Sequence, residues 1–92
     1  MQEEKRWILL DRKEMHPRFW LRTETENLLL SWAVISQIRA SEDFLSISFL
    51  CKYGLIQLSS AESMLELFKG LLSEKVWRIE GALLGCKIMP LE

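Results

Sequence analysis

Between residues 44 and 58 apolar and polar side chains alternate with the period of a β-strand; just beyond, the period lengthens to that of an α-helix. Leu45, Ile47, Phe49 and Cys51 fall on one side of an extended chain, and Ser46, Ser48 and Lys52 on the other, the pattern of a half-buried strand. Lys52-Tyr53-Gly54 suits a tight hairpin in which Gly54 takes a positive φ. The chain returns through residues 55–58 with Ile56 and Leu58 on one side. Ser59-Ser60-Ala61-Glu62 then reads as a helix start, with Ser59 as the cap and Glu62 completing a capping box near the positive end of the helix dipole. Ala61, Met64, Leu65, Phe68, Leu71 and Leu72 share one helical face, and Glu62, Ser63, Glu66 and Lys69 face water. Gly70 weakens the last turn by about 1 kcal/mol relative to Ala.

The flanking segments extend this picture. Residues 1–5 are polar and read as frayed. Residues 6–10 form a short apolar run that suits a first strand, and residues 11–14 are turn-like. Pro17 holds His16 away from helix. Residues 18–22 suit a second strand with Phe19 and Leu21 opposite Trp20. Residues 24–38 fit either of two structures. Thr23 with Glu26 forms a capping box that would start a helix, whereas the β-branched Val34-Ile35 and Ile38 favour strand, which would make residues 32–58 a three-strand meander. After the helix, Val76-Trp77-Arg78-Ile79-Glu80 alternates as another strand, residues 81–85 form a loop or an irregular hairpin, and residues 86–89 a last short strand before Pro90. The expected fold is a single α+β domain over residues 1–92. It comprises a small antiparallel sheet of about five or six strands with one main amphipathic helix, about residues 60–72, packed across it.

Composition narrows the class. Ninety-two residues leave room for one core, and 49% hydrophobic with 27% charged residues is ordinary globular usage. Four Trp and four Phe supply large apolar area for a small domain or for an interface. The net charge of −1 lacks the basic excess of a general nucleic-acid binder, although residues 1–22 hold six basic against four acidic residues, a local +2. Two cysteines are too few for a disulfide framework, and no run approaches the length of a membrane span or a secretory leader. A soluble cytoplasmic chain with two reduced thiols is expected. Leu91-Glu92 has the form of a cloning remnant.

Candidate chemistry is sparse. Asp11, Glu14 and His16 are metal-ligand types without the spacing of a defined site. A Cys51 or Cys86 nucleophile would depend on His16, the sole histidine, as its base. The glycines are dispersed, and residues 81–85 lack the Lys and Ser/Thr of a phosphate loop. Glu3-Glu4 and Glu42-Asp43 suit exposed positions better than acid–base pairs. No enzyme, metal or cofactor is expected. Trp7, Phe19, Trp20 and Trp32 interleave with Arg6, Arg18 and Arg22, a mixture that stacks on single-stranded nucleic acid in some proteins and that strand alternation also produces with one face in a core.

Four segments stand in a familiar order: Ile35-Ser36-Gln37-Ile38-Arg39-Ala40, the strands of residues 44–58, the helix of residues 61–72, and Val76-Trp77-Arg78-Ile79. In that order residues 21–88 resemble the first part of a LytTR-type DNA-binding domain. The resemblance implies DNA contact through Arg78. It departs from the family where His-Arg-Ser would follow, because Glu80-Gly81-Ala82 stands there and an acidic residue opposes a phosphate. The family's later strands have no counterpart in this sequence.

The expected function is therefore a small non-enzymatic protein-interaction module, a pleckstrin-homology-like or other sheet-plus-helix adaptor. It would bind a protein partner, or itself as a homodimer through edge pairing or face packing. Trp7, Arg18, Trp20, Arg22 and Arg78 are the candidate partner-binding residues. The alternative is a nucleic-acid-binding domain using Arg6, Arg18, Arg22 and Arg78, which requires those arginines on one face. Whether Trp7, Trp20, Trp32 and Trp77 are buried or exposed decides where a working surface lies.

Overall fold

A computed structural model describes residues 5–11, 13–14, 16–52 and 54–90. Most of the expected frayed N-terminus, Tyr53 of the expected hairpin and Leu91-Glu92 lie outside these residues. The elements run β1 (Trp7–Leu9), β2 (Arg18–Arg22), β3 (Asn27–Ser31), β4 (Gln37–Ala40), β5 (Ser46–Cys51), β6 (Gly54–Ser59), α1 (Leu65–Leu72), β7 (Val76–Glu80) and β8 (Gly85–Met89). The α+β architecture with one main helix is as expected, but the eight strands divide into two four-stranded sheets, β1-β7-β2-β3 and β4-β5-β6-β8. The division arises because β7 returns to the N-terminal strands while β8 crosses to β6. Nor is the first sheet wholly antiparallel, since β2 and β7 run parallel.

Strand alternation builds the core. Phe19 and Leu21 of β2, Leu30 of β3 and Ile79 of β7 are fully buried against Ile47 and Phe49 of β5 and Ile56 and Leu58 of β6. The two sheets meet at Phe19 and Phe49, whose rings lie edge to face at 6.2 Å, and Trp32 covers Phe19 at 4.4 Å. Each such aliphatic or Phe side chain contributes about 1.5–3 kcal/mol by burial.

β7 keeps this inward pattern by breaking strict alternation. Ile8 pairs with Arg78, but the next residue, Leu9, pairs with Val76, so Trp77 is the extra residue of a β-bulge. Val76 and Ile79 are thereby both buried, and Trp77 is turned out.

The helix starts later than its serines predict. Ser59 ends β6, paired with Ser46 and Gly85. The hydroxyl of Ser60 accepts from the Glu62 N–H at 3.2 Å, and that of Ser63 from the Leu65 N–H at 3.2 Å. The Arg6 guanidinium donates to Ser60 Oγ at 2.6 Å and to the carbonyl of Glu62 at 3.3 Å. Met64 donates its N–H to the Phe44 carbonyl at 2.8 Å. These bonds hold residues 60–63 in a bend, the local competition with helix that serine hydroxyls offer. The helix begins at Leu65 with no side-chain cap.

The delay goes with a different buried face. Met64, Leu67 and Leu71 are buried, whereas Leu72, expected inward, is 61% exposed. Gly70, a weak point by propensity, is where the helix meets β1 and β7: a Cβ there would lie 2.7 Å from Leu9 Cδ2 and 3.1 Å from Val76 Cγ2. The helix packs against β1 and the interior strand β7 of the first sheet and against β4 of the second, so it touches both sheets.

Residues 24–38 resolve toward strand. The Thr23–Glu26 pattern closes a hairpin instead of opening a helix: Thr23 Oγ1 accepts from the Glu26 N–H at 3.0 Å, and the Thr23 N–H donates to the Glu26 carbonyl at 2.8 Å. After β3, residues 32–34 make one 3-10 turn capped by Ser31, so the meander begins at Gln37. Gly54 takes φ +126°, as expected, and a Cβ there would strike the Met89 carbonyl.

Two outcomes are expected. In urea unfolding, Leu67→Ala lowers stability by about 2–5 kcal/mol, and Leu72→Ala by less than about 0.5 kcal/mol; equal costs would contradict the observed helix face. Asp43 accepts from the Ser41 hydroxyl at 2.7 Å and the Leu45 N–H at 3.1 Å, and these bonds, the hydroxyl first, hold its pKa below the ordinary carboxylate value. Its stabilisation is present above the ordinary carboxylate range and is lost as pH falls through the lowered pKa. The melting-temperature gap between wild type and Asp43→Asn should therefore narrow on acidification from neutral pH.

Candidate functional site

Directly paired residues point to the same side of a sheet, so the register shows which side chains share the outer face of the first sheet. Ile8 pairs with Arg78, Arg78 with Trp20, and Trp20 with Leu29, one row across β1, β7, β2 and β3. Its apolar members are open to solvent: Ile8 is 39%, Trp20 42% and Leu29 46% exposed. Arg18 and Arg22 flank Trp20 along β2 by alternation. The bulge adds Trp77, 38% exposed, which lines a shallow cavity with Ile8, Leu10 and His16. The His16 and Trp77 rings lie 4.9 Å apart.

Charge on this face is tied down by Glu80. Its carboxylate lies 3.8 Å from Arg22 and 2.6 Å from Arg78 Nε, although the Nε–H is not aimed at it and has no hydrogen-bond partner. The Arg78 guanidinium also sits 5.8 Å from the Trp20 ring centroid, the outer range of a cation–π contact. Glu80 thus neutralises part of the arginine charge on this face.

Of the candidate residues, the structure brings Arg18, Trp20, Arg22 and Arg78 together. Trp7 does not join them. It pairs with the buried Ile79, so it points to the core side and packs there. Arg6 is held over the Trp7 ring at 4.5 Å and by its bonds to residues 60 and 62, away from the other arginines. Trp32 packs on Phe19 and donates its indole N–H to the His16 carbonyl at 3.0 Å. Ile8, Leu29 and Glu80 were not anticipated as members. Alternation within β2 finds Arg18, Trp20 and Arg22, but pairing between distant strands is needed to find the rest.

A second cavity, of about 290 Å³, lies between the β2–β3 hairpin and β8 and is lined by Thr23, Glu24, Glu26, Leu84, Cys86 and Ile88. Burial, with the charge of Glu24 adding to it, pushes the Cys86 thiol pKa up. His16 lines a different cavity, so the one histidine and this thiol do not form a base–nucleophile pair there. Among the described residues no three His, Cys, Asp or Glu side chains converge as a metal site, and no helix is long and apolar enough to cross a membrane.

No family model, curated protein or solved structure matches the chain.

A raised thiol pKa means that the folded state keeps its proton after the unfolded chain has begun to lose it, so stability falls as pH rises through the ordinary thiol range of about 8.5. Wild-type urea midpoints should decline between about pH 7.5 and 9.5 more steeply than those of Cys86→Ala. Iodoacetamide should label Cys86 more slowly than a free thiol; labelling at the free-thiol rate would remove the basis for this pH dependence.

Proposed function

We propose that this chain is a small non-enzymatic protein-interaction module whose docking surface is the outer face of the β1-β7-β2-β3 sheet. The observation that carries it is the exposed row Ile8–Arg78–Trp20–Leu29, flanked by Arg18, Arg22 and Trp77. Trp and Arg are the residue types that dominate binding energy at protein interfaces, and a Trp on a rigid strand presents its area with little entropy to lose. The chemistry favours a partner segment that sets apolar side chains against Trp20 and Leu29 and carboxylates against Arg18 and Arg22. Two free cysteines suit a reducing cytoplasm as the place of action.

A second possibility is single-stranded nucleic acid. It is favoured by the placement of Arg18, Trp20, Arg22 and Arg78 on one face, where a base can stack on the indole. Glu80 weighs against it, being paired with two of those arginines. The resemblance to a LytTR-type domain adds only Arg78 to this possibility, and the same glutamate stands at the family's basic position.

Selection of displayed peptides on the immobilised protein separates the two. Recovered peptides should combine acidic and apolar residues, and Trp20→Ala, a change at an exposed position, should weaken them by at least about tenfold. Peptides indifferent to Trp20→Ala would overturn the docking face. Salt-sensitive binding to single-stranded DNA or RNA that strengthens in Glu80→Gln would establish the second possibility instead.

A further inference from the structure

The four sheet edges are not equally protected. β1 is three residues long, and α1 packs against it. β4 carries Arg39 and also has α1 against it. β8 carries Lys87 and is followed by Pro90. Shortness, charge, proline and a covering element are the usual devices that stop an edge from pairing with another chain. β3 has none of them within its five residues, Asn27-Leu28-Leu29-Leu30-Ser31.

The register shows which backbone groups β3 turns outward. At one end of the β2–β3 ladder the Thr23 N–H donates to the Glu26 carbonyl, and at the other the Trp32 N–H donates to the Pro17 carbonyl. Hydrogen-bonded and non-bonded pairs alternate in an antiparallel ladder. Between those ends, Phe19/Leu30 and Leu21/Leu28 are therefore the bonded pairs, and Arg18/Ser31, Trp20/Leu29 and Arg22/Asn27 the non-bonded ones. Asn27, Leu29 and Ser31 consequently aim their backbone N–H groups away from β2, and Asn27 and Leu29 their carbonyls as well. Among the described residues these groups take no backbone partner outside the ladder and the adjoining 3-10 turn.

This edge is complementary to itself. We propose that a second copy of the chain pairs with β3, antiparallel and across a two-fold axis at Leu29. The two copies of Leu29 then exchange N–H···O=C bonds, and the Ser31 N–H of each meets the Asn27 carbonyl of the other. On the outer face Leu29 packs on its symmetry mate, and Asn27 lies beside Ser31 of the other copy with donors and acceptors on both. No like charges meet along the strand. The row Ile8–Arg78–Trp20–Leu29 is continued by its mirror order into one eight-stranded face. This names one partner for the interaction module proposed above, but it rests on the β3 edge and not on the chemistry of the outer face. Five residues bury less than a standard interface, so the dimer is a weak, concentration-dependent one.

Sedimentation velocity on the isolated protein tests this without reference to any other partner. Wild type should shift from monomer toward dimer between about 1 and 500 µM. Leu29→Pro removes an outward N–H while sparing the bonds to β2, and Leu29→Lys places two like charges on the axis. Both should remain monomeric over the same range with wild-type circular dichroism. If Leu29→Pro disturbs the fold, Leu29→Lys carries the test alone. In a Cys86→Ala background, Leu29→Cys should give an intermolecular disulfide on mild oxidation, because paired Cα atoms in such a ladder lie about 5.5 Å apart. Thr25→Cys should not. A wild type that stays monomeric throughout, or a Leu29→Lys that dimerises as well as wild type, overturns the proposal. Neither result bears on peptide binding at Trp20, which is read separately.

Discussion

The fold depends on β7 filling the place between β1 and β2. β1 is bonded to nothing else in the first sheet, and β2 would otherwise be one arm of a hairpin with β3. An isolated hairpin is marginal in water, and three or more strands over an apolar face are needed for stability. β7 supplies both requirements with residues more than fifty positions along the chain from its partners. Its bulge sets Val76 and Ile79 into the core together, and α1, with Met64 at its N-terminal boundary, delivers Met64, Leu67 and Leu71 to the same core. The helix is thus held by the strand that follows it as well as by the Phe44 carbonyl and the ring of Phe68 against Phe44.

Closing the first sheet in this way also assembles its outer face. β7 contributes Arg78, Glu80 and the displaced Trp77, and its Arg78 links Ile8 of β1 to Trp20 of β2 in one row. The second sheet has a different exterior. There Arg39, Ser48, Gln57 and Lys87 form one polar row across β4, β5, β6 and β8, beside the row Gln37, Leu50, Leu55 and Met89, and neither row carries an aromatic side chain. Trp20, Trp77 and the guanidinium groups of Arg18, Arg22 and Arg78 stand on the first face, whereas Arg39 belongs to the second. Any partner of the first face meets a charge pattern already partly balanced by Glu80.

Local elements were legible where side-chain period, turn chemistry and burial agree. β5 and β6, with the Gly54 hairpin between them, follow from alternation over residues 44–58, and β2 follows from Phe19 and Leu21 opposite Trp20. Legibility failed where one polar signal serves two structures. Thr23 and Glu26 make the same hydrogen bond in a hairpin as in a capping box, and Ser60 and Ser63 close bends as readily as they cap a helix. The candidate site was half legible. Arg18, Trp20, Arg22 and Arg78 are visible as types, whereas the side that Trp7 takes is not, because nothing within the three residues of β1 indicates which face meets the core.

The sequence by itself determined the class of the protein, its strand-and-helix order after residue 44 and the inward faces of β2, β5 and β6, because these follow from interactions between near neighbours. Only the tertiary structure decided that there are two sheets, that β7 runs parallel to β2, that Leu67 and not Leu72 enters the core, and that Ile8, Arg78, Trp20 and Leu29 stand in one row. Each of these is a pairing between segments far apart in the chain. Such pairings are chosen by how apolar faces close on one another, and no local period records them.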